Sequence, residues 1–128
     1  MKIAIENNGS NAEKVFVLCK NTSGGTVSAD APVYYEVDEQ TDGIAVSQAS
    51  AAEQFCLFAG ITDASMVDDA IGWVQCHGYR SSGYVSAASA GCEVGMALIP
   101  VAGQNYLTDT TSSARHDLNF VNLIETVS

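Results

Sequence analysis

Positive charge is scarce in this chain. Five basic residues, Lys2, Lys14, Lys20, Arg80 and Arg115, stand against fifteen acidic ones, giving a formal net charge of -10 and a sequence pI near 4.2. The five are scattered, so no cluster exists to neutralise a run of phosphates, which argues against direct nucleic-acid binding. The same shortage disfavours an anionic membrane surface. An acidic balance favours solubility and suits docking on a basic protein surface. No apolar run approaches the roughly 20 residues that span a bilayer. The opening MKIAIENNGSNAEK has only the three-residue apolar stretch Ile3 to Ile5, too short for the hydrophobic region of a signal peptide. The expectation is a soluble chain synthesised in a cytoplasm.

The furniture of catalysis is also sparse. G-x-S-x-G is absent, and Gly24 and Gly25 lack the Lys-Ser/Thr of a phosphate loop. His77 and His116 are the only imidazoles. His77 lies in a predicted strand, and His116 could meet Asp109 or Asp117 only in a triad drawn from separate loops. Cys19, Cys56, Cys76 and Cys92 are spaced 37, 20 and 16 apart with no C-x-x-C pair. That spacing does not resemble a structural zinc site, and without a secretory signal an even count does not make a disulfide framework. Free buried thiols acting as small hydrophobes are expected. Cys76 and His77, being adjacent in a strand, point to opposite faces and cannot chelate one ion together. Glu36, Asp38, Glu39 and Asp42 cluster oxygens that calcium could use, but without the spacing and central Gly of an EF-hand they read as a solvated acidic turn. No enzyme activity, cofactor or metal is expected.

What the chain has in quantity is small polar residues and short apolar runs. Apolar residues make up 47 % and charged ones 16 % of 128 residues, enough for one domain that buries about two thirds of its unfolded surface. Val15 to Cys19 is an unbroken β-branched and aromatic run, a strand expected to be buried on both faces. Asn21 to Gly25 turns the chain, and after Pro32 the alternation of Val33, Tyr35 and Val37 with Tyr34, Glu36 and Asp38 predicts a second strand with one wet face, completing a hairpin. Ile44 to Gln54 is ambiguous between a short helix and extended chain. Phe55 to Ile61 is a third buried strand. Thr62 to Asp69 reads as a loop, and Ile71 to Tyr79 as a strand in which Ile71, Trp73, Gln75, His77 and Tyr79 share one face. Gly72 and Gly78 on the other face suggest close approach of a neighbouring strand or a bulge, and Trp73 is expected in the core.

Tyr84 to Ala90 and Val94 to Ile99 read as a further strand pair, Ala102 to Arg115 as a long loop anchored by Tyr106 and Leu107, and Leu118 to Ile124 as the closing strand. The sum is an all-β single-domain barrel or sandwich of about six to eight short strands with little or no helix. Residues 1–12 form an N-terminal arm or edge strand, and 13–128 the β-rich domain. GGTVSADAPVYY and SGYVSAASAGCEVG share a strand, small-residue turn, strand grammar that a pseudo-repeat would produce.

In order along Val15 to Leu123, the segments KNTSGGTV followed by PVYY, then FAGI, GWVQCHGY, VGMALIPVAG and FVNLI, resemble the head decoration, or cement, proteins of tailed phages. The resemblance implies a β-rich subunit on the outer face of an icosahedral capsid, a homo-oligomer with the trimer favoured, which bridges subunits of the major capsid protein and does no chemistry. The residues expected at a capsid or subunit interface are Lys2, Ile3 and Ile5 of the arm, Glu36 and Asp38 of the acidic edge, and Tyr106 and Arg115 of the long loop. Two alternatives remain: another minor head or tail component of a virion, or a β module that holds glycans on exposed rings among Tyr34, Tyr35, Trp73, Tyr79, Tyr84 and Tyr106.

Overall fold

A computed structural model describes residues 2–6, 13–36, 44–48, 57–86, 95, 97–101, 104–109 and 121–122. The protein is all-β: among the described residues there are nine strands and no helix. These are β1 (Ile3–Glu6), β2 (Lys14–Asn21), β3 (Pro32–Tyr35), β4 (Ala45–Ser47), β5 (Phe58–Thr62), β6 (Ile71–His77), β7 (Ala97–Pro100), β8 (Leu107–Asp109) and β9 (Val121–Asn122). The sheet order β1-β2-β4-β3-β5-β6 closes through a β2–β6 pairing into a five-stranded barrel with β1 attached outside the ring. A three-stranded sheet, β8-β7-β9, stands beside it and buries Leu98 and Leu107.

The barrel explains where the apolar runs go. Its wall has an inside and an outside, so side chains must alternate. Along β2, Val17, Cys19 and Asn21 are buried while Phe16, Leu18 and Lys20 are only partly covered, and the run VFVLC is therefore not buried on both faces as expected. Val17, Cys19, Val27, Ala31, Val33, Val46, Ala59, Met66 and Val74 fill the interior. The wet face expected on β3 is also absent at Tyr34, which is 1 % exposed. β3 lies between β4 and β5, and the Tyr34 ring packs on Phe58 of β5 with centroids 5.7 Å apart.

The expected β2–β3 hairpin does not form. β2 pairs with β1 and β6 antiparallel and with β4 parallel, and β3 pairs with β4 and β5. The segment 22–31 crosses the barrel end instead of folding back. It meets segment 63–70 there, and the two interlock by a local two-fold pseudosymmetry. Val27 and Met66 exchange reciprocal backbone hydrogen bonds of 2.9 Å. Asp30 N–H donates to Thr62 O at 3.0 Å, and its counterpart Asp69 N–H donates to Asn21 O at 2.9 Å. Thr62 N–H donates to Ala31 O at 3.0 Å, as Asn21 N–H does to Ala70 O at 2.9 Å. Both aspartates take the same left-handed backbone, φ 62°. These bonds relate 21–31 to 62–70; of the expected likeness between GGTVSADAPVYY and SGYVSAASAGCEVG, residues 87–94 lie outside the described residues.

Other expectations shift as well. The ambiguous Ile44 to Gln54 segment contributes β4, wholly buried, and its part beyond residue 48 lies outside the described residues. Thr62 closes β5, so the loop after it begins one residue later, and Met66 bridges to Val27 within it. Alternation in β6 fails in the middle, where Val74 and Gln75 are both buried, opposite an irregular register at Val15/Phe16 of β2. Trp73 is half-buried rather than in the core. Gly72 of β6 and Gly78 just after it do mark close approach: a Cβ on Gly72 would lie 2.8 Å from Met66 Cγ, and one on Gly78 (φ 96°) would overlap the Glu13 carbonyl. Of the expected strand at Tyr84 to Ala90 only an isolated Val85 bridge to Leu107 is seen among the described residues. The expected loop 102–115 contains β8, drawn into regular pairing because Leu107, buried beside Tyr84 and Val85, registers with Pro100. The closing strand is present as β9.

Candidate functional site

A closed barrel removes the open strand edges through which sheets recruit other chains. β1 reintroduces one. It pairs antiparallel with the first half of β2, Ile3 opposite Val17, Ala4 opposite Phe16 and Ile5 opposite Val15. Leu18 N–H donates to the Lys2 carbonyl at 2.9 Å. In an antiparallel ladder backbone groups alternate in direction, so residues 2, 4 and 6 direct theirs at β2 while the N–H and C=O of Ile3 and Ile5 point outward. Those outward groups find no partner among the described residues. Cross-strand neighbours share a face, so Ile3 and Ile5 continue the face that Val17 turns into the barrel. Out on β1 that face is uncovered: Ile3 is 50 % and Ile5 66 % exposed.

A second exposed apolar point lies at the interlocked end. Val67 and the first residue of β6, Ile71, are both exposed, held together by the Ala70 N–H to Val67 carbonyl bond of 3.0 Å. Lys20 pairs beside them with Asp69 at 2.5 Å, and Asp68 accepts from Gly24 N–H at 3.0 Å.

Opposite in character is the cluster around Arg80, which sequence reasoning passed over as part of a turn. Its side chain is 14 % exposed and reaches three separate places. The guanidinium donates to Asp30 Oδ1 through Nε at 3.1 Å and through Nη2, to Thr62 O at 2.9 Å, and to Gln75 Oε1 at 3.2 Å. Ser82 Oγ adds a bond to Asp30 at 2.9 Å, and Asp63 lies 3.5 Å from Nη1. The Arg80 bond holds the Asp30 carboxyl below the usual range; Ser82 and the Arg80 charge push the same way, against partial burial. Gln75, buried, turns its amide N–H groups to the carbonyls of His77, Gly78 and Tyr79. All of this fastens the 77–82 turn to the barrel, and the guanidinium is fully engaged in doing so. The signal for it in the sequence was one basic residue among many acids, too weak to name a partner.

The interface residues expected from the sequence fall in different places. Lys2, Ile3 and Ile5 come together on the exposed edge. Glu36 leaves β3 half-buried, accepts from the Ser47 hydroxyl and donates its N–H to Ala45 O at 3.1 Å, so it serves the β3–β4 pairing. Tyr106 precedes β8, partly buried, in the smaller sheet. Asp38 and Arg115 lie outside the described residues. Among the candidate stacking rings, Tyr34 is buried, Tyr35 packs against the core, and Tyr79 and Tyr84 are exposed.

Of the cysteines, Cys19 is buried and free as expected, and burial, with Cys76 nearby, pushes its thiol up to about 11. Cys76 is free but exposed, against expectation, because it follows the break in β6 alternation. Cys56 and Cys92 lie outside the described residues. Among the described residues no three His, Cys, Asp or Glu side chains gather as a metal site would require; of the acidic turn only Glu36 is described, and of the imidazoles only His77, which is exposed. Comparison of the chain with protein-family models, with curated proteins and with solved structures finds no match.

Proposed function

We propose that this chain is a structural virion subunit that decorates the outer face of an icosahedral phage capsid and binds the major capsid protein. The reading rests on the ordered resemblance of its segments to decoration proteins. The observation that carries it further is an all-β barrel with the exposed apolar side chains of Val67 and Ile71 at its interlocked end. A clamp of this kind works by covering surface on neighbouring subunits, each contact modest and the total multiplied by copy number. The Val67–Ile71 corner, flanked by Asp68 and Asp69, has the mixed apolar and acidic character that suits a basic patch on a partner.

Mass spectrometry of purified particles tests the reading: the chain is expected there in stoichiometric amount, and its absence overturns the proposal. On purified capsids, Val67→Asp combined with Ile71→Asp should lower the occupancy of the chain. A second reading, a glycan-binding module, draws on the exposed Tyr79 and Tyr84 on either side of Arg80. It requires glycan binding that Tyr79→Ala or Tyr84→Ala abolishes.

A further inference from the structure

The open edge of β1 is chemically its own complement. Its sequence with the preceding residue is Lys2-Ile3-Ala4-Ile5-Glu6. Two such segments laid antiparallel about a two-fold axis at Ala4 place Lys2 of one opposite Glu6 of the other at both ends, with Ile3 opposite Ile5 between. No other register does this. A shift by two residues sets Lys2 or Glu6 opposite Ala4 and forms no Lys–Glu pair, and a parallel arrangement brings like charges side by side.

The backbone agrees with the same register. The groups that point outward belong to Ile3 and Ile5, as the Leu18 to Lys2 bond and the β1–β2 register require. In the two-fold arrangement Ile3 and Ile5 are the residues that face each other as hydrogen-bonded pairs, so each outward N–H meets an outward C=O. Lys2 and Glu6 then take facing non-hydrogen-bonded register positions, with opposite charge on the two residues. The exposed isoleucines of the two copies, which share one face, form a single four-residue apolar cluster. A chain with only five basic residues has one of them where an antiparallel copy needs it.

We infer that β1 is a self-association strand and that its occupant is β1 of a second copy of this chain, joined in the two-fold register centred on Ala4. The contact is short, so the dimer is a weak one, with dissociation in about the micromolar to sub-millimolar range. The inference goes beyond the virion reading and does not depend on it, because self-association is measured on the isolated protein.

Sedimentation equilibrium of the full chain tests it. The wild type is expected to dimerise, Lys2→Glu and Glu6→Lys to weaken the dimer each by about tenfold or more, and the double variant carrying both changes to recover most of that loss. Ile5→Pro removes an outward N–H but no bond to β2, and edge strands tolerate Pro facing outward; it should give monomer with an unchanged circular dichroism spectrum. A wild type with no dimer detectable at about 0.5 mM, a concentration at which dissociation anywhere in the micromolar to sub-millimolar range would populate one, overturns the inference and leaves the edge to a strand of another protein. So does a dimer that ignores the single charge reversals, or one that the double reversal fails to restore.

Discussion

Asn21 ties both crossing segments to the end of β2. It has no exposed surface, its amide donates to Gly25 O at 2.7 Å and Met66 O at 2.9 Å, and its Oδ1 accepts from Ser23 N–H at 3.0 Å. Met66 O keeps its bond from Val27 N–H and Gly25 O its bond from Ser23 Oγ, so Asn21→Ala loses the three bonds of a buried amide without stranding either carbonyl and should cost about 1–3 kcal/mol in urea unfolding at neutral pH. Thr62, its counterpart by pseudosymmetry, binds Ser28 O at 2.7 Å and accepts from Ala31 N–H at 3.1 Å. Asp30 gives a pH signature. Its carboxyl ionises more easily folded than unfolded, so its stabilisation is present above the unfolded value near 3.9 and is lost as pH falls through the lower folded one. Asp30→Asn, which still tolerates the left-handed backbone, should therefore lose less stability than wild type between about pH 5 and 2. The cysteines differ in reactivity, since only a thiolate attacks an alkylating agent. At pH 8 in the native protein, iodoacetamide should modify Cys76 and spare the buried Cys19, as peptide mass mapping would show.

At the level of elements, β2, β3, β5 and β6 were legible in VFVLC, PVYY, FAGI and IGWVQCH because β-branched and aromatic residues favour a pleated, half-buried surface. Their partners were not. Which strand Lys20 registers with is decided by segment 63–70 arriving from far along the chain, and no local pattern records that. β8, Leu-Thr-Asp, is short and mostly polar, and becomes a strand only through Pro100 and Tyr84. For the candidate site, Ile3 and Ile5 were legible as an edge, whereas the Arg80 cluster needed four elements in place to exist. The sequence places Trp73 in the core, but half-buried on the barrel exterior it should cost only about 1–2 kcal/mol on change to Ala. Gly78→Ala should cost more than Gly24→Ala. Both have positive φ, but a Cβ at Gly78 would overlap the Glu13 backbone, while at Gly24 nothing lies within 4 Å and only the backbone strain of about 1–2 kcal/mol applies. Paired urea melts read the difference directly.

For the whole molecule, a net charge of -10 sets the terms on which copies meet. General repulsion between acidic bodies opposes association and is screened by salt, whereas the closely paired Lys2 and Glu6 of the proposed register favour it. Moderate salt should thus leave the wild-type dimer nearly unchanged while tightening any residual association of the Lys2→Glu variant.

The crossing of segments 22–31 and 63–70 bears on how the molecule opens. Each segment is pinned by the strand end of the other half, so neither half can detach without releasing both. Amide protons of Asn21, Val27, Thr62 and Met66, which lie far apart in the chain, are therefore expected to exchange with deuterium at a common rate set by one opening event. The loop-rich end of this barrel, where local fraying would ordinarily be sought first, is thus expected to open as one unit.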